Sequence, residues 1–218
     1  MRAAQTSIHS APAVARGARL RHKTRARMIP AELLLHAYRN AVFPMAMEDG
    51  EVAWFSPDPR AIIPLDDGFH VPHGLRRILK TAPFEIRVNT CFETVMQGCA
   101  RREETWINAE IVASYVNLHR LGYAHSVETW SDGRLAGGLY GVAIGGAFFG
   151  ESMFHEAADA SKVALHALVM RLRERGFSLL DTQWLTPHLA TFGAHEIPRF
   201  DYRRRLQECV DDDRRFVD

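Results

Sequence analysis

The chain has 218 residues, 47% of them hydrophobic, enough to bury a full core in one large domain or two small ones. Its net charge of +1 hides an asymmetry, because residues 1–27 hold seven Lys or Arg and no acid, leaving 20 basic against 26 acidic residues in the rest. A polyanionic partner must therefore be met by a local basic patch, not by the overall field. No apolar run approaches the roughly 20 residues that span a bilayer, and the first residues carry no hydrophobic signal core, so a cytoplasmic protein without a membrane partner is expected. Cys91, Cys99 and Cys209 are odd in number and lack short paired spacing, which argues for free thiols and against a disulfide framework or structural metal.

Residues 1–27 are rich in Ala, Arg and Ser without hydrophobic periodicity, which suits a disordered tail, an organellar-type transit sequence or a start placed too early, with Met28 as the alternative start. From Pro30, the spacing of Leu33, Leu34, Ala37, Tyr38 and Val42 predicts a first helix that stops at Phe43-Pro44. Trp54-Phe55-Ser56-Pro57-Asp58-Pro59-Arg60 predicts a stiff turn before an apolar strand over 61–65. A short basic helix is expected over 73–80, carrying Arg76, Arg77 and Lys80. The window 71–102 holds six Lys or Arg against two acids, which makes it the local basic patch.

A second amphipathic helix is predicted over 108–122, with Asn108 as N-cap and Gly122 as stop. Strands over 125–130, 135–144 and 147–154, joined by Ser131-Asp132-Gly133 and Gly145-Gly146 turns, form an antiparallel meander. A long helix follows, capped by Asp159, striped by Val163, Leu165, Leu168, Val169 and Leu172, and ended by Gly176. A strand over 178–184 and a basic helix near 202–209 complete the pattern. There is no internal repeat.

Glu151 stands at the end of an otherwise apolar strand and needs a partner or ligand. Asp181 and Gln183 are two apart on a strand and so share a face, while Leu180 and Thr182 take the other, so Asp181 is expected to hold Gln183 in one orientation. A buried polar pair that only satisfies backbone groups is the alternative reading. No phosphate-binding glycine loop is present, because both Gly-Gly pairs lie within or between strands. The eleven histidines show no metal-ligand spacing, and no nucleophile elbow surrounds Ser152.

At these residues the chain resembles the leucyl/phenylalanyl-tRNA–protein transferase family. The resemblance runs through Phe43-Pro44, Ser56-Pro57-Asp58-Pro59-Arg60, Thr105-Trp106-Ile107, His125-Ser126-Val127-Glu128, Gly137-Gly138-Leu139-Tyr140-Gly141-Val142, the segment 150–154, Ala160-Ser161-Lys162 and Glu196-Ile197-Pro198-Arg199. It implies an α/β (α+β) chain with a small N-terminal α/β domain over 28–104 and, over 105–218, a catalytic domain of the acetyltransferase (GNAT) type with a mixed sheet. By the same resemblance, Glu151, Asp181 and Gln183 line the reaction centre. Leu139, Phe148, Gly150, Leu165, Leu168, Leu172 and Leu180 shape the aminoacyl pocket, and ordinary core is the competing reading for the leucines.

Trp106 would stack on the terminal adenosine of the tRNA, with Met45 standing where the family often has a second Trp, and Arg77 and Lys80 would meet acceptor-stem phosphates. The implied reaction moves Leu or Phe, with Met a third candidate, from aminoacyl-tRNA to the α-amine of proteins that begin with Arg or Lys, tagging them for degradation. It needs no metal or redox cofactor, and a monomer is the default. In this scheme Gln183 accepts a hydrogen bond from the attacking amine, while Glu151 and Asp181 offer negative charge to the acceptor's basic side chain. Two rivals are an RNA-binding protein without transfer activity and a coenzyme A-dependent N-acyltransferase. The second lacks its pyrophosphate loop, since 154–162 contains no glycine.

Overall fold

The computed structural model describes residues 28–102 and 105–218, so the expectations for 1–27 lie outside the described residues. Helix α1 (Ala31–Arg39) leads into a two-stranded antiparallel ribbon, β1 (Phe43–Ala46) with β2 (Val52–Phe55). Then come β3 (Arg60–Ile63), α2 (His73–Thr81), β4 (Glu85–Val88), α3 (Phe92–Ala100) and α4 (Ala109–Arg120). The meander follows as β5 (Ala124–Ser131), β6 (Arg134–Ile144) and β7 (Ala147–His155). The chain closes with α5 (Ala160–Glu174), β8 (Leu179–Gln183), α6 (Pro187–Ala190), β9 (His195–Ile197) and α7 (Arg199–Cys209).

Seven strands form one mixed sheet in the order β4-β5-β6-β7-β8-β3-β9, in which β7 and β8 run parallel and the other neighbours antiparallel. The parallel pair requires a crossover, and α5 supplies it. Strands β3 and β4 precede residue 105 yet pair with strands that follow it, so the main sheet draws on both sides of that point.

Alternation along the strands builds two apolar layers. One contains Tyr38, Phe92, Met96, Tyr115, Tyr140, Phe149 and Tyr202, the other Leu139, Phe148, Leu165, Leu168, Leu180 and Phe216. Between β6 and β7, Gly145 takes φ +56, and a Cβ there would lie 2.3 Å from the Val210 carbonyl oxygen. The end of α7 is therefore seated against a turn that only glycine allows.

Two cap expectations divide. Asn108 accepts the Ile111 N–H at 2.9 Å, as an N-cap should. Asp159 stands before α5 but with φ 64 and makes no cap bond; its carboxylate takes Lys162 Nζ at 2.7 Å instead. A capping side chain needs an extended backbone, and the left-handed turn points this one elsewhere.

Strands β1, β2, β4 and β9 and helices α3 and α6 had no counterpart in the sequence reading. Phe43-Pro44, read as a helix stop, opens β1, where proline is tolerated because the ribbon is all edge.

Candidate active site

The antiparallel ladders that β7 makes with β6 and β8 makes with β3 each contain one extra residue. Gly141 pairs with Gly150 and Tyr140 with Ser152, so Glu151 is an extra residue in β7. Ala61 pairs with Gln183 and Ile62 with Asp181, so Thr182 is an extra residue in β8. The β7–β8 pairing itself ends at Phe149 and Asp181. Two bulges thus sit on neighbouring strands where their ladder stops, and bulges of this kind re-aim side chains.

A cavity with about 380 Å³ of empty volume, part of it open to solvent, occupies the gap. Leu139, Leu165, Leu168, Leu180, Leu189 and Met153 give it an apolar wall, and Gly150, Glu151, Thr182 and Gln183 line it where the strands separate. Of the residues expected to shape the pocket, Phe148 and Leu172 do not line it; they stand in the apolar layer behind it, both fully buried. Gly150 has a clear physical reason: a Cβ there would meet only the Asp181 carbonyl oxygen, at 3.4 Å, so the gap next to it stays empty.

The acids are held in two linked groups. Glu151 is 6% exposed and accepts hydrogen bonds from Tyr38 Oη at 2.7 Å, Gln183 Nε2 at 3.3 Å and Tyr115 Oη at 3.4 Å, while the two tyrosine hydroxyls also bond each other. Burial pushes the Glu151 carboxyl up to about 8, the Tyr38 hydrogen bond pulls it down, the Asp181 charge raises it, and Arg60 and Tyr115 lower it. At neutral pH Glu151 is therefore largely protonated.

Asp181 is fully buried and receives Arg60 through two bonds, Nε to Oδ1 at 2.9 Å and Nη2 to Oδ2 at 2.6 Å, and Tyr202 Oη at 2.9 Å. Burial works hardest against the Arg60 charge, but Asp181 first, then Tyr202 and Glu151, together outweigh it and leave the guanidinium pKa above its ordinary value. Arg60 also donates to the Ala41 carbonyl at 3.2 Å and lies over the rings of Phe43 and Tyr202.

Asp181 and Gln183 do meet, though not as the two-residue spacing suggested. Asp181 Oδ1 accepts the Gln183 backbone N–H at 2.9 Å, and the Gln183 side-chain amide turns to Glu151. The Thr182 bulge and the Gln183 φ of 60 break the alternation that the spacing assumed. The proposed charge pairing with an acceptor side chain also changes: Asp181 is already neutralised by Arg60, and Glu151 is largely uncharged. The arrangement favours orientation over ion pairing.

Sequence reasoning missed Arg60, Tyr38, Tyr115 and Tyr202 as parts of this site. Tyr38 and Tyr115 lay in helical apolar stripes, where a hydroxyl is silent until its partner is known. Arg60 lay in a quoted motif whose logic appears only in three dimensions: Arg199 binds Asp58 through its backbone N–H at 3.0 Å and Ser56 O through Nη1 at 2.8 Å. Two of the quoted motifs thus meet at the turn that delivers Arg60 to Asp181.

Away from the cavity, Trp106 is half-buried, and its carbonyl accepts the Ala46 N–H at 3.1 Å, which brings it beside Met45 on β1. Met45 is 7% exposed and belongs mainly to the core. Arg77 and Lys80 are exposed on α2, whose Leu75, Ile78 and Leu79 turn to the apolar layer that contains α5.

Comparison with known proteins points to one family. Residues 62–207 match the family model described as leucyl/phenylalanyl-tRNA protein transferase, and residues 27–58 match the model of its N-terminal domain. A leucyl/phenylalanyl-tRNA–protein transferase of Herpetosiphon aurantiacus is 56% identical over 179 residues, covering 82% of this chain and 93% of the relative. That of Akkermansia muciniphila is 55% identical over 185 residues, covering 83% and 96%. Among solved structures, a GCN5-related N-acetyltransferase-like protein from Streptococcus suis overlaps 77% of this chain and 64% of its own at 12% identity, with a TM-score of 0.36. The chain belongs to the leucyl/phenylalanyl-tRNA–protein transferase family and is an aminoacyltransferase.

Proposed function

We propose that this enzyme takes Leu or Phe, with Met a third candidate, from aminoacyl-tRNA and joins it to the α-amine of proteins that begin with Arg or Lys, marking them for degradation in the cytoplasm. The observation that carries the reading is the leucine-walled cavity that ends at the Glu151–Gln183–Asp181 network. An unbranched or aromatic apolar side chain suits such a wall, and a pocket of this kind discriminates single methylenes by only about 1–3 kcal/mol, so selection rests on shape.

The aminoacyl ester arrives activated. An α-amine has a pKa of about 7.7–8, so near neutral pH an appreciable fraction is ready to attack and needs placement more than a strong base. Gln183 supplies placement: Asp181 fixes its backbone, Glu151 engages its amide nitrogen, and its amide oxygen remains to accept a hydrogen bond from the attacking amine. As the amine adds to the ester carbonyl, the new C–N bond forms, the amine sheds a proton, and the tRNA 3′ oxygen leaves with one. Arg60 and Tyr202 serve as positioning residues that keep Asp181 in place.

On this reading Arg77 and Lys80 hold acceptor-stem phosphates, a salt-sensitive and largely sequence-independent contact, and Trp106 takes the terminal adenosine, with Met45 beside it. Their support is the exposure of the two cations and the placement of Trp106 next to β1. The protein acts as a monomer.

The test is transfer of labelled Phe from Phe-tRNA to peptides beginning with Arg, Lys or Asp, with wild type and Gln183→Ala compared. Transfer to the first two peptides, reduced in the variant, is expected. Binding of Phe-tRNA without transfer to any peptide would overturn the reading in favour of an RNA-binding role.

A further inference from the structure

The segment after α7 carries no helix or strand, yet it is tied down along its length. Where α7 ends, the Gly146 N–H donates to the Cys209 carbonyl at 2.7 Å. At the end of α5, Arg171 Nε donates to the Phe216 carbonyl at 2.8 Å with its guanidinium over the Phe216 ring, and Arg175 pairs with Asp218 at 2.6 Å. Between these ties the Phe216 side chain is buried, its ring centroid 4.6 Å from that of His125, 5.1 Å from Phe148 and 6.3 Å from Phe177. Exposed ion pairs contribute little, so the buried ring carries the docking of this segment.

What the ring touches leads to the cavity. Phe148 and Gly150 share a face of β7, and Gly150 lines the cavity. Phe148 pairs with Ala143 on β6, but a Cβ on Gly141, the partner of Gly150, would lie 2.4 Å from the Phe148 ring, so the ring leans towards the level of Gly150. On its other side Phe148 pairs with Leu180, a residue of the cavity wall. Helix α5 repeats the order: Leu168 lines the cavity, Leu172 stands one turn further on behind it, and Arg171 and Arg175 grip the tail. We propose that Phe216 backs the aminoacyl pocket and, through Phe148, sets the length of the side chain that the donor can carry. The inference rests on the reading of the cavity as that pocket. While Phe216 fills its place, a close-packed interior gives the Phe148 ring nowhere to retreat; truncation of Phe216 opens that space. Phe216 is thus a positioning residue for specificity that stands outside the cavity it shapes.

The experiment compares donors that differ only in side chain: one tRNA charged with Leu, Phe or Trp, with transfer to a peptide beginning with Arg read as kcat/KM. Wild type is expected to transfer Trp more slowly than Phe. Phe216→Leu and Phe216→Ala should raise the Trp-to-Phe ratio in that order, the alanine variant by about tenfold, the scale on which an apolar pocket discriminates. A general loss of stability slows every donor alike and leaves that ratio where it was. Should Phe216→Ala fail to fold, by circular dichroism, Phe216→Leu decides the question alone. Gly150→Val, which alters the cavity wall directly, is the reference and should slow Phe and Trp more than Leu. A Trp-to-Phe ratio unchanged in the folded Phe216 variants, or a wild type that transfers Trp as fast as Phe, would overturn the inference; selective slowing of Phe by Gly150→Val would then leave the pocket reading intact. If Gly150→Val also treats all three donors alike, the cavity is not the aminoacyl pocket and both readings fall.

Discussion

Arg60 and Asp181, 121 residues apart in the chain, face each other fork to carboxylate at 2.6 and 2.9 Å with side-chain exposures of 1% and 0%. Neither charge can be removed alone without stranding the other in the core. Arg60→Met should therefore destabilise the fold by about 3–5 kcal/mol, seen as a lower midpoint in urea. Arg60→Met combined with Asp181→Leu should recover much of that loss while transfer stays abolished. Recovery of transfer along with stability would show that the pair serves the fold alone.

Glu151 predicts a pH slope. Its folded pKa, pushed up to about 8 by burial, lies above the ordinary carboxyl value of 4.5, so the folded state holds a proton that the unfolded chain releases. The resulting stabilisation is full below pH 4.5 and is lost as pH rises towards and through 8, with a slope approaching about 1.4 kcal/mol per pH unit from this one group. Urea midpoints of wild type should fall between pH 5.5 and 8 relative to those of Glu151→Gln, which carries no proton to lose. Parallel curves for the two proteins would refute the assignment.

Gly150 offers a steric test. The 3.4 Å approach to the Asp181 carbonyl leaves room for one methyl group, so Gly150→Ala should fold normally and transfer both Leu and Phe. Gly150→Val places further methyl groups in the cavity and should reduce kcat/KM for Phe-tRNA at least about tenfold, more than for Leu-tRNA, by the discrimination available to an apolar pocket. Equal transfer of Phe by wild type and Gly150→Val would remove Gly150 from the pocket wall.

A fourth prediction concerns the fold alone. The fully buried Glu128 accepts the backbone N–H groups of Thr90 and Cys91 at 2.9 and 3.1 Å, Ser126 Oγ at 2.7 Å and Trp130 Nε1 at 3.3 Å, and so ties β5 to the start of α3. Glu128→Ala strands several donors at once and should cost roughly 3 kcal/mol. Transfer per folded molecule should change little, which circular dichroism and single-turnover assays together can establish.

How much of this was legible in the sequence depends on the range over which a residue acts. Helices α1, α2, α4 and α5 and the meander β5–β7 declared themselves because spacing and turn residues are local. Asn108 acted on its own helix and behaved as read. The site split along the same line: Glu151, Asp181 and Gln183, named through the family resemblance, fall close together, and of the seven residues named for the pocket five line the cavity, while Met153 and Leu189, which also line it, went unnamed. The partners of the three polar residues, Tyr38, Arg60, Tyr115 and Tyr202, were not named either, since each becomes polar machinery only when a distant carboxylate reaches it. Asp159 failed as a cap and Gln183 as an alternating strand residue for one reason: both have positive φ, which composition does not announce.

The two bulges carry a consequence for how this protein can change. An opening between strands is usually kept by a long loop, which tolerates insertion and loss. Here it is kept by counting, with one surplus residue in each of two adjacent strands. Deleting Glu151 would make Gly150 and Ser152 direct neighbours opposite Gly141 and Tyr140 and close the ladder without shifting it, so Phe154, 5% exposed, would stay in the core opposite Gly138 while the carboxyl and the opening are lost. Deleting Thr182 would do the same to the short end of β8. The reactive gap is therefore separable from the hydrophobic interior: either deletion would close the opening and leave the strand pairing on both sides of it in place.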